Sequence, residues 1–321
     1  MSVRVLFLAG SGRSGSTLVT TALGQLDGFF AAGELRYLWQ RGLVDDRPCG
    51  CGATVRECPM WAPILRDLPA HDSAGIAERL RTRLRMRNRL RVEPHPDDEV
   101  IAALYRSLAE RTGGSIIVDS SKLPPYAVLL HSLPGIDLRV VHVVRDPRAA
   151  AFSWRRRRSL DGDDRLMTRH PVWKAALLWS VWNAAVLRRF GRGAYLRVRY
   201  EDLVRDPISW VRRIAEFAGS APPDLPISTD GVLTLAPTHS VAGNPMRHRT
   251  GAVPIAADDE WRHGMSRRSH AVVTALTAPL LPRGGDPVGR RAPPGAAPTA
   301  PAPRGAGPPW GRSGAAGPPR S

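Results

Sequence analysis

Lysine is almost missing from this chain of 321 residues. Only Lys122 and Lys174 occur, so the formal net charge of +17 rests on arginine. Such a balance fits an anionic ligand, nucleic acid or an acidic surface, and by itself separates none of them. Cysteine is scarce as well: Cys49, Cys51 and Cys58 are the whole complement. The apolar start is short and runs straight into glycines, which argues against a signal peptide. No apolar stretch reaches the length of about 18 residues that a membrane span needs. The expected location is therefore the cytoplasm, where a disulfide is uncommon. No internal repeat is evident. What remains is an ordinary globular composition, long enough to bury one large core or two small ones.

The organising stretch is Val3 to Thr17, V-R-V-L-F-L-A-G-S-G-R-S-G-S-T. Its first half is a β-rich apolar run of the length of a buried parallel strand. Gly10, Gly12 and Gly15 break it, and from Ser16 the apolar residues return at helical spacing. A strand, a glycine loop and a helix start together make an anion cradle, because unsatisfied backbone N–H groups converge there. The spacing is that of a Walker A loop, but Ser16 stands where the phosphate-reaching lysine belongs. Arg13 is the nearest cation. The loop suits a phosphate and is poorly equipped for ATP or GTP hydrolysis; a plain βα turn with no ligand is the alternative.

Further along, three short apolar runs read as buried strands, each ending in polar residues. Ser115 to Pro124, S-I-I-V-D-S-S-K-L-P, puts Asp119 and Lys122 at a strand end. Asp137 to Trp154 places Arg145 at the end of V-V-H-V-V, with Ser153 eight residues later on a helix. Ala194 to Val198 leads into Tyr200-Glu201-Asp202-Leu203. In an open α/β sheet, ligands bind at such carboxyl ends. Glu34 follows the first helix in A-A-G-E-L-R-Y-L-W, where it is either a base or a structural ion-pair member. The cysteines sit in C-G-C-G-x5-E-C-P, where a fourth ligand such as His71 makes zinc conceivable; a packed or redox-labile loop is the preferred reading.

Arginine recurs at every second position from Arg79 to Arg91, on a helix pattern that reads as a solvated face. Pro171 to Phe190 reads as a helix whose tryptophans, Trp173, Trp179 and Trp182, belong to the core. Thr238 to Trp261 reads as a glycine- and proline-broken loop containing Arg247. After Pro282, half of the remaining forty residues are proline or glycine, so residues 282–321 are expected to be a disordered tail beyond a domain at 1–281.

Arg13-Ser14-Gly15-Ser16-Thr17 resembles the 5′-phosphosulfate loop, [KR]-[ST]-G-[ST]-T, of sulfotransferases that use 3′-phosphoadenosine-5′-phosphosulfate (PAPS). The later segments resemble that family in the same order, from Val3 to Leu281, most closely its bacterial members. The resemblance implies a P-loop-like α/β fold, three layers with a central parallel sheet flanked by helices, and in-line sulfonyl transfer to a hydroxyl or amine without a metal. It implies that Arg13, Ser14, Gly15, Ser16 and Thr17 hold the 5′-phosphosulfate. Arg145, Ser153 and Arg247 answer to the 3′-phosphate, with Arg249 possible, and Tyr200 lies against the adenine. Where the cytosolic branch has a catalytic histidine, this chain has Lys122, a poor base when protonated but a good stabiliser of developing charge. The base is therefore sought among Glu34 first, Asp119 second, and a deprotonated Lys122 third. The acceptor, a small molecule, carbohydrate or lipid, falls to residues 36–110 and 155–175. A P-loop phosphotransferase and an arginine-rich nucleic-acid binder stay open as other classes, though no nucleic-acid partner is expected.

Overall fold

The computed structural model describes residues 2–86, 91–156 and 168–280, together with the backbone of two short strands at 159–160 and 163–166. The expected tail at 282–321 lies outside the described residues, as does part of the arginine repeat. The chain begins with β1 (Val3–Ala9), α1 (Ser16–Leu23) and β2 (Phe29–Gly33), then a 3₁₀ turn (Leu35–Tyr37) and a π-helical turn (Leu38–Val44). Helices α2 (Trp61–Asp67), α3 (Ser73–Arg83) and α4 (Asp97–Arg111) lead to β3 (Ile116–Lys122), α5 (Pro124–Ser132) and β4 (Ile136–Val144). After α6 (Pro147–Arg155) come the ribbon β5 (Ser159–Leu160) and β6 (Asp163–Leu166), then α7 (Val172–Phe190) and β7 (Tyr195–Arg199). The chain continues through α8 (Tyr200–Arg205), α9 (Pro207–Phe217), the hairpin β8 (Val232–Leu235) and β9 (Gly251–Pro254), α10 (Trp261–Gly264) and α11 (Arg267–Thr277).

Five strands make one parallel sheet in the order β2-β3-β1-β4-β7. Successive residues of a strand face opposite ways, and β1 shows the result. Val3, Val5, Phe7 and Ala9 pack toward α2, α4 and α5, while Leu6 and Leu8 pack toward α1 and α9. A strand buried on both faces needs a continuous apolar run, which is why β1, β3 and β4 are legible as such. The fold is the expected three-layer, P-loop-like α/β arrangement.

Strand β2 is the element that the sequence conceals. Phe29-Phe30-Ala31-Ala32-Gly33 is short and half small residues, and it pairs with β3 at the sheet's edge. Helix α7 also departs from expectation. Trp173 and Leu177, read as core, are 52% and 42% exposed. The buried side is Ala175, Ala176, Trp179, Asn183 and Val186. Ala175 and Ala176 meet Ala151 of α6 and Val273 of α11, so small side chains bring the helices together and leave the larger ones outside.

Candidate active site

The carboxyl ends of the five strands meet along one edge of the sheet. In sheet order they present Glu34 after β2, Lys122 at the end of β3, the glycine loop after β1, Arg145 after β4 and Tyr200 after β7. A cleft of about 530 Å³ opens over this edge, lined by Arg13, Gly15, Ser16, Thr17, Glu34, Lys122, Arg145, Ser153 and Tyr200 among others. That volume is in the range of small-molecule and cofactor sites.

The loop is built for an anion. Gly15 caps α1 at φ +91°, and Arg13 also stands in the left-handed region at φ +68°. The amides of the first helical turn have no intrahelical acceptors and face the cleft end of the helix. Ser11 and Ser14 are buried, with hydroxyls that find no hydrogen-bond partner among the described residues. Buried polar atoms without partners cost roughly 1–3 kcal/mol each unless a ligand satisfies them. The Nε of Arg145 is orphaned in the same way. The donor set therefore fits a polyanion at two neighbouring points, the loop and Arg145.

Gly15 also leaves room for Tyr200, whose ring occupies the space that a Cβ on Gly15 would take. Gly15→Ala is expected to lower thermal stability by about 1–3 kcal/mol, from the strained φ and the clash together. It should also abolish anion binding by the loop, as read by thermal melts with and without nucleotide.

Arg145 is 6% exposed and lies over the Tyr200 ring with 4.4 Å between guanidinium carbon and ring centre. Its guanidinium bonds the Asp258 carbonyl at 3.1 Å and pairs with the Asp258 carboxylate at 3.2 Å. Burial pushes the Asp258 carboxyl up, but Arg145 and Arg156 outweigh it and hold the group below the ordinary carboxylate range. Trp179 fixes the strand end by donating its Nε1–H to the Arg145 carbonyl at 2.9 Å. Asp146, which in another context reads as a Walker B acid, instead caps α6 and pairs with Arg148.

On the other side of the loop, Lys122 Nζ donates to the Glu34 carboxylate and to the Ser120 carbonyl at 3.1 Å. Both side chains of the pair are 13% exposed. Burial would raise the Glu34 pKa, but the charges of Lys122, Arg36 and Arg41 more than offset it, and the carboxyl sits below its usual value. Arg36 of the 3₁₀ turn and Arg41 of the π-helical turn both stack on Tyr37, at 3.8 and 3.7 Å from its ring centre. Lys122 takes a left-handed backbone, φ +65°, to turn from β3 into α5.

Ser14 is buried within the loop and does not line the cleft, and two expected residues from outside the loop are not brought to it either. Asp119 is fully buried beneath it and accepts hydrogen bonds from Tyr105 Oη at 2.6 Å, Ser121 N at 2.8 Å and Ser121 Oγ at 2.6 Å. Burial pushes its pKa to about 6. With no path to an acceptor it is withdrawn as a base; its bonds tie β3 to α4. Its folded pKa lies above the model-peptide 3.8, so its contribution to stability is complete below about pH 4 and is lost as pH rises through about 6. Asp119→Asn is expected to flatten that decline, which is on the order of 3 kcal/mol at most, in denaturant titrations across the window. Arg247 is the second. It is 5% exposed, donates to the Pro48 carbonyl at 3.1 Å and borders a small cavity behind Glu34. It lies in the 3₁₀ turn Pro245–His248, and among the cavities described it borders that one and not the cleft that holds Arg145.

The structure adds residues that sequence reasoning passed over. Ser11 completes the loop. Trp154 covers Gly12 and stacks under Arg13 at 5.0 Å and on His170 at 4.6 Å. Asn244 and Met246 close the cleft beside Glu34. Only Ser11 carried a signal, as a further small hydroxyl inside the glycine loop.

The profile of the sulfotransferase family matches residues 6–224, well over half of the chain. Human carbohydrate sulfotransferase 3 is 27% identical over 164 residues, 46% of this chain and 33% of that protein. Mouse carbohydrate sulfotransferase 2 is 31% identical over 153 residues, 36% of this chain and 28% of that protein. The match thus spans about a third of the length of these curated relatives. Among solved structures, the sulfotransferase domain from the curacin biosynthetic pathway superposes with a TM-score of 0.50 at 17% identity, covering 86% of this chain and 98% of that one. That likeness concerns the fold. The family match runs from β1 through the glycine loop, Glu34, Lys122 and Arg145 to Tyr200, and on that extent the chain belongs to the sulfotransferase family.

Proposed function

We propose that this chain transfers a sulfonyl group from PAPS to a hydroxyl or amine of a small acceptor. The observation that carries the reading is the convergence of the anion loop, Arg145 and the Glu34–Lys122 pair in one cleft. PAPS, when bound, supplies an activated sulfonyl group. The loop amides, Arg13, Ser14, Ser16 and Thr17 hold the phosphosulfate, and Arg145 with Ser153 holds the 3′-phosphate. The fork of a guanidinium suits that group. Tyr200 forms the floor beside Arg145, under the nucleoside. Lys122 neutralises charge developing near the transferred group, which is the effective way to use a fixed cation in a low-dielectric site. Glu34, ionised at neutral pH, takes the acceptor proton. Arg247 is left out of the 3′-phosphate set because its guanidinium is turned toward Pro48.

The acceptor half of the cleft is lined by Tyr37, Trp154, His170, Leu178 and Trp182. Aromatic faces of this kind suit the flat apolar face of a sugar or an aromatic ring, and the named relatives are carbohydrate sulfotransferases. No helix among the described residues is long and apolar enough to cross a membrane. Three free cysteines go with a cytoplasmic setting. A phosphotransferase is disfavoured because the Walker lysine is missing, and a nucleic-acid binder because Ser11 and Arg145, whose Oγ and Nε lack partners, line an enclosed cleft and not an open surface.

The test is incubation with PAPS and a panel of sugar and phenolic acceptors, with release of 3′-phosphoadenosine-5′-phosphate (PAP) followed by chromatography. Acceptor-dependent release is expected. Equal affinity for PAP and ADP by calorimetry would overturn the reading.

A further inference from the structure

Apart from the cleft, a group of metal-ligating side chains converges among the described residues. The Sγ atoms of Cys49, Cys51 and Cys58 and a ring nitrogen of His239 all lie within 4.8 Å of one another. Cys58 Sγ stands 3.6 Å from Cys49 Sγ, 3.7 Å from Cys51 Sγ and 3.2 Å from His239 Nδ1. These three of the six donor–donor distances are close to the edges of a tetrahedron around a zinc ion. Zn–S bonds of about 2.3 Å and Zn–N bonds of about 2.0 Å give S–S edges of ~3.8 Å and S–N edges of ~3.5 Å. A disulfide would need one S–S distance of about 2.05 Å and would leave the imidazole with no purpose there. Four donors from protein, with no position left for water or substrate, describe a closed structural site.

The backbone is shaped to bring them together. Cys49 N–H donates to the Ala53 carbonyl at 2.8 Å and Gly52 N–H to the Cys49 carbonyl at 2.9 Å, folding C-G-C-G into a tight turn. Gly52 takes φ +94° there. Gly50 lets the turn press against the histidine segment: a Cβ on it would come within 2.6 Å of the Thr238 carbonyl. Gly50 N–H donates to the Ser240 carbonyl at 2.9 Å, and Trp61 Nε1 donates to the His239 carbonyl at 2.6 Å. His71, the sequence-adjacent candidate for a fourth ligand, is elsewhere. It donates to the Pro69 carbonyl and meets Trp39 edge-on.

We propose that Cys49, Cys51, Cys58 and His239 bind one zinc ion, and that this ion locks the segment around His239 to the sheet edge that carries Glu34. The link is short. Two residues past His239, Val241 N–H donates to the Ala32 carbonyl at 2.9 Å, and Glu34 N–H donates to the Val241 carbonyl at 2.8 Å. Gly243, in the same segment, lies 3.5 Å (from its would-be Cβ) from Glu34 Oε1. The ion thus bridges two segments far apart in sequence and secures the outer wall of the β2 edge strand. It takes no part in chemistry, and its binding is independent of the sulfotransferase reading.

The experiment uses the full chain without a polyhistidine tag, purified from zinc-supplemented medium without chelators. Elemental analysis is expected to find one zinc per chain. Cobalt reconstitution is expected to give the intense thiolate-to-metal and d–d bands of a tetrahedral site. Cys58→Ser and His239→Ala should lose the metal; His239→Cys should retain it, and His71→Ala should be indifferent. Removing the metal should speed hydrogen exchange at the Glu34 and Val241 amides. Substoichiometric zinc together with no tetrahedral cobalt spectrum would overturn the site, as would a Cys–Cys disulfide found by thiol titration of the native protein. Unchanged exchange at Glu34 and Val241 after metal removal would overturn the locking role. None of these readouts depends on sulfonyl transfer.

Discussion

Replacing Arg145 with alanine is expected to weaken PAP binding roughly 100-fold, about 3 kcal/mol, while leaving ADP affinity nearly unchanged. The estimate follows from a buried, forked cation lost from a phosphate, where truncation typically costs several kcal/mol. The selectivity follows from position. Arg145 sits after β4, one strand away from the loop that would hold the group both nucleotides share. Asp258 keeps its pairing with Arg156 at 2.9 Å when Arg145 is removed, so the surrounding loop retains an anchor. Arg145→Lys should recover part of the affinity, because an ammonium restores the charge without the fork. Calorimetric titration of PAP and ADP against wild type and both variants decides the matter. A parallel loss for both nucleotides would mean that Arg145 serves the fold and does not read the 3′-phosphate.

Glu34→Gln is expected to lower kcat by about 10²–10⁴-fold, the usual range for removing a general base, with PAP affinity unchanged. Gln keeps a carbonyl for Lys122 to bond, so the pair's packing survives while the proton acceptor is lost. The pH–rate profile gives an independent sign. Burial raises the Glu34 pKa, and Lys122, Arg36 and Arg41 pull it below the ordinary value. In wild type the acid limb should therefore lie below the usual carboxylate range. Lys122→Met removes the strongest of the lowering charges and leaves burial in place, so the limb should move to higher pH. Pre-steady-state rates in the two variants across acidic pH test both statements. An acid limb unmoved in Lys122→Met would detach the limb from Glu34.

Much of the loop side of the cleft was legible because it is local. Gly10 to Thr17 encodes its own strand, turn and helix start, and Arg145 with Ser153 is fixed by one strand end and the helix after it. What was hidden is what depends on pairing across the chain. The edge strand at Phe29–Gly33 has only one sheet neighbour to satisfy, so it carries a weaker apolar pattern than β1 or β4. Asp119 and Lys122 are three residues apart on the same strand end, yet one is sealed under α4 and the other lines the cleft. Residues three apart on a strand face opposite ways, and which of the two faces meets α4 is decided by packing across the chain. Arg247 shares its composition with a phosphate-reading lid, but a 3₁₀ turn points it at Pro48. His239 lies 181 residues from Cys58 and has no motif of its own. His71 drew attention only by being near in sequence.

The order of the strand ends works as a fixed gauge. Glu34, Lys122, the glycine loop, Arg145 and Tyr200 occupy five successive strands, and neighbouring strands are about 4.8 Å apart. The strand ends that carry Glu34 and Tyr200 are then ~19 Å apart, a spacing set by backbone hydrogen bonds, and side chains reach back across it, as the Tyr200 ring does to Gly15. Variation in the turn at 35–44 and in α7, which also line the cleft, can reshape it without touching that spacing. The pitch of the sheet thus holds one side of the cleft constant and leaves the other free to diverge.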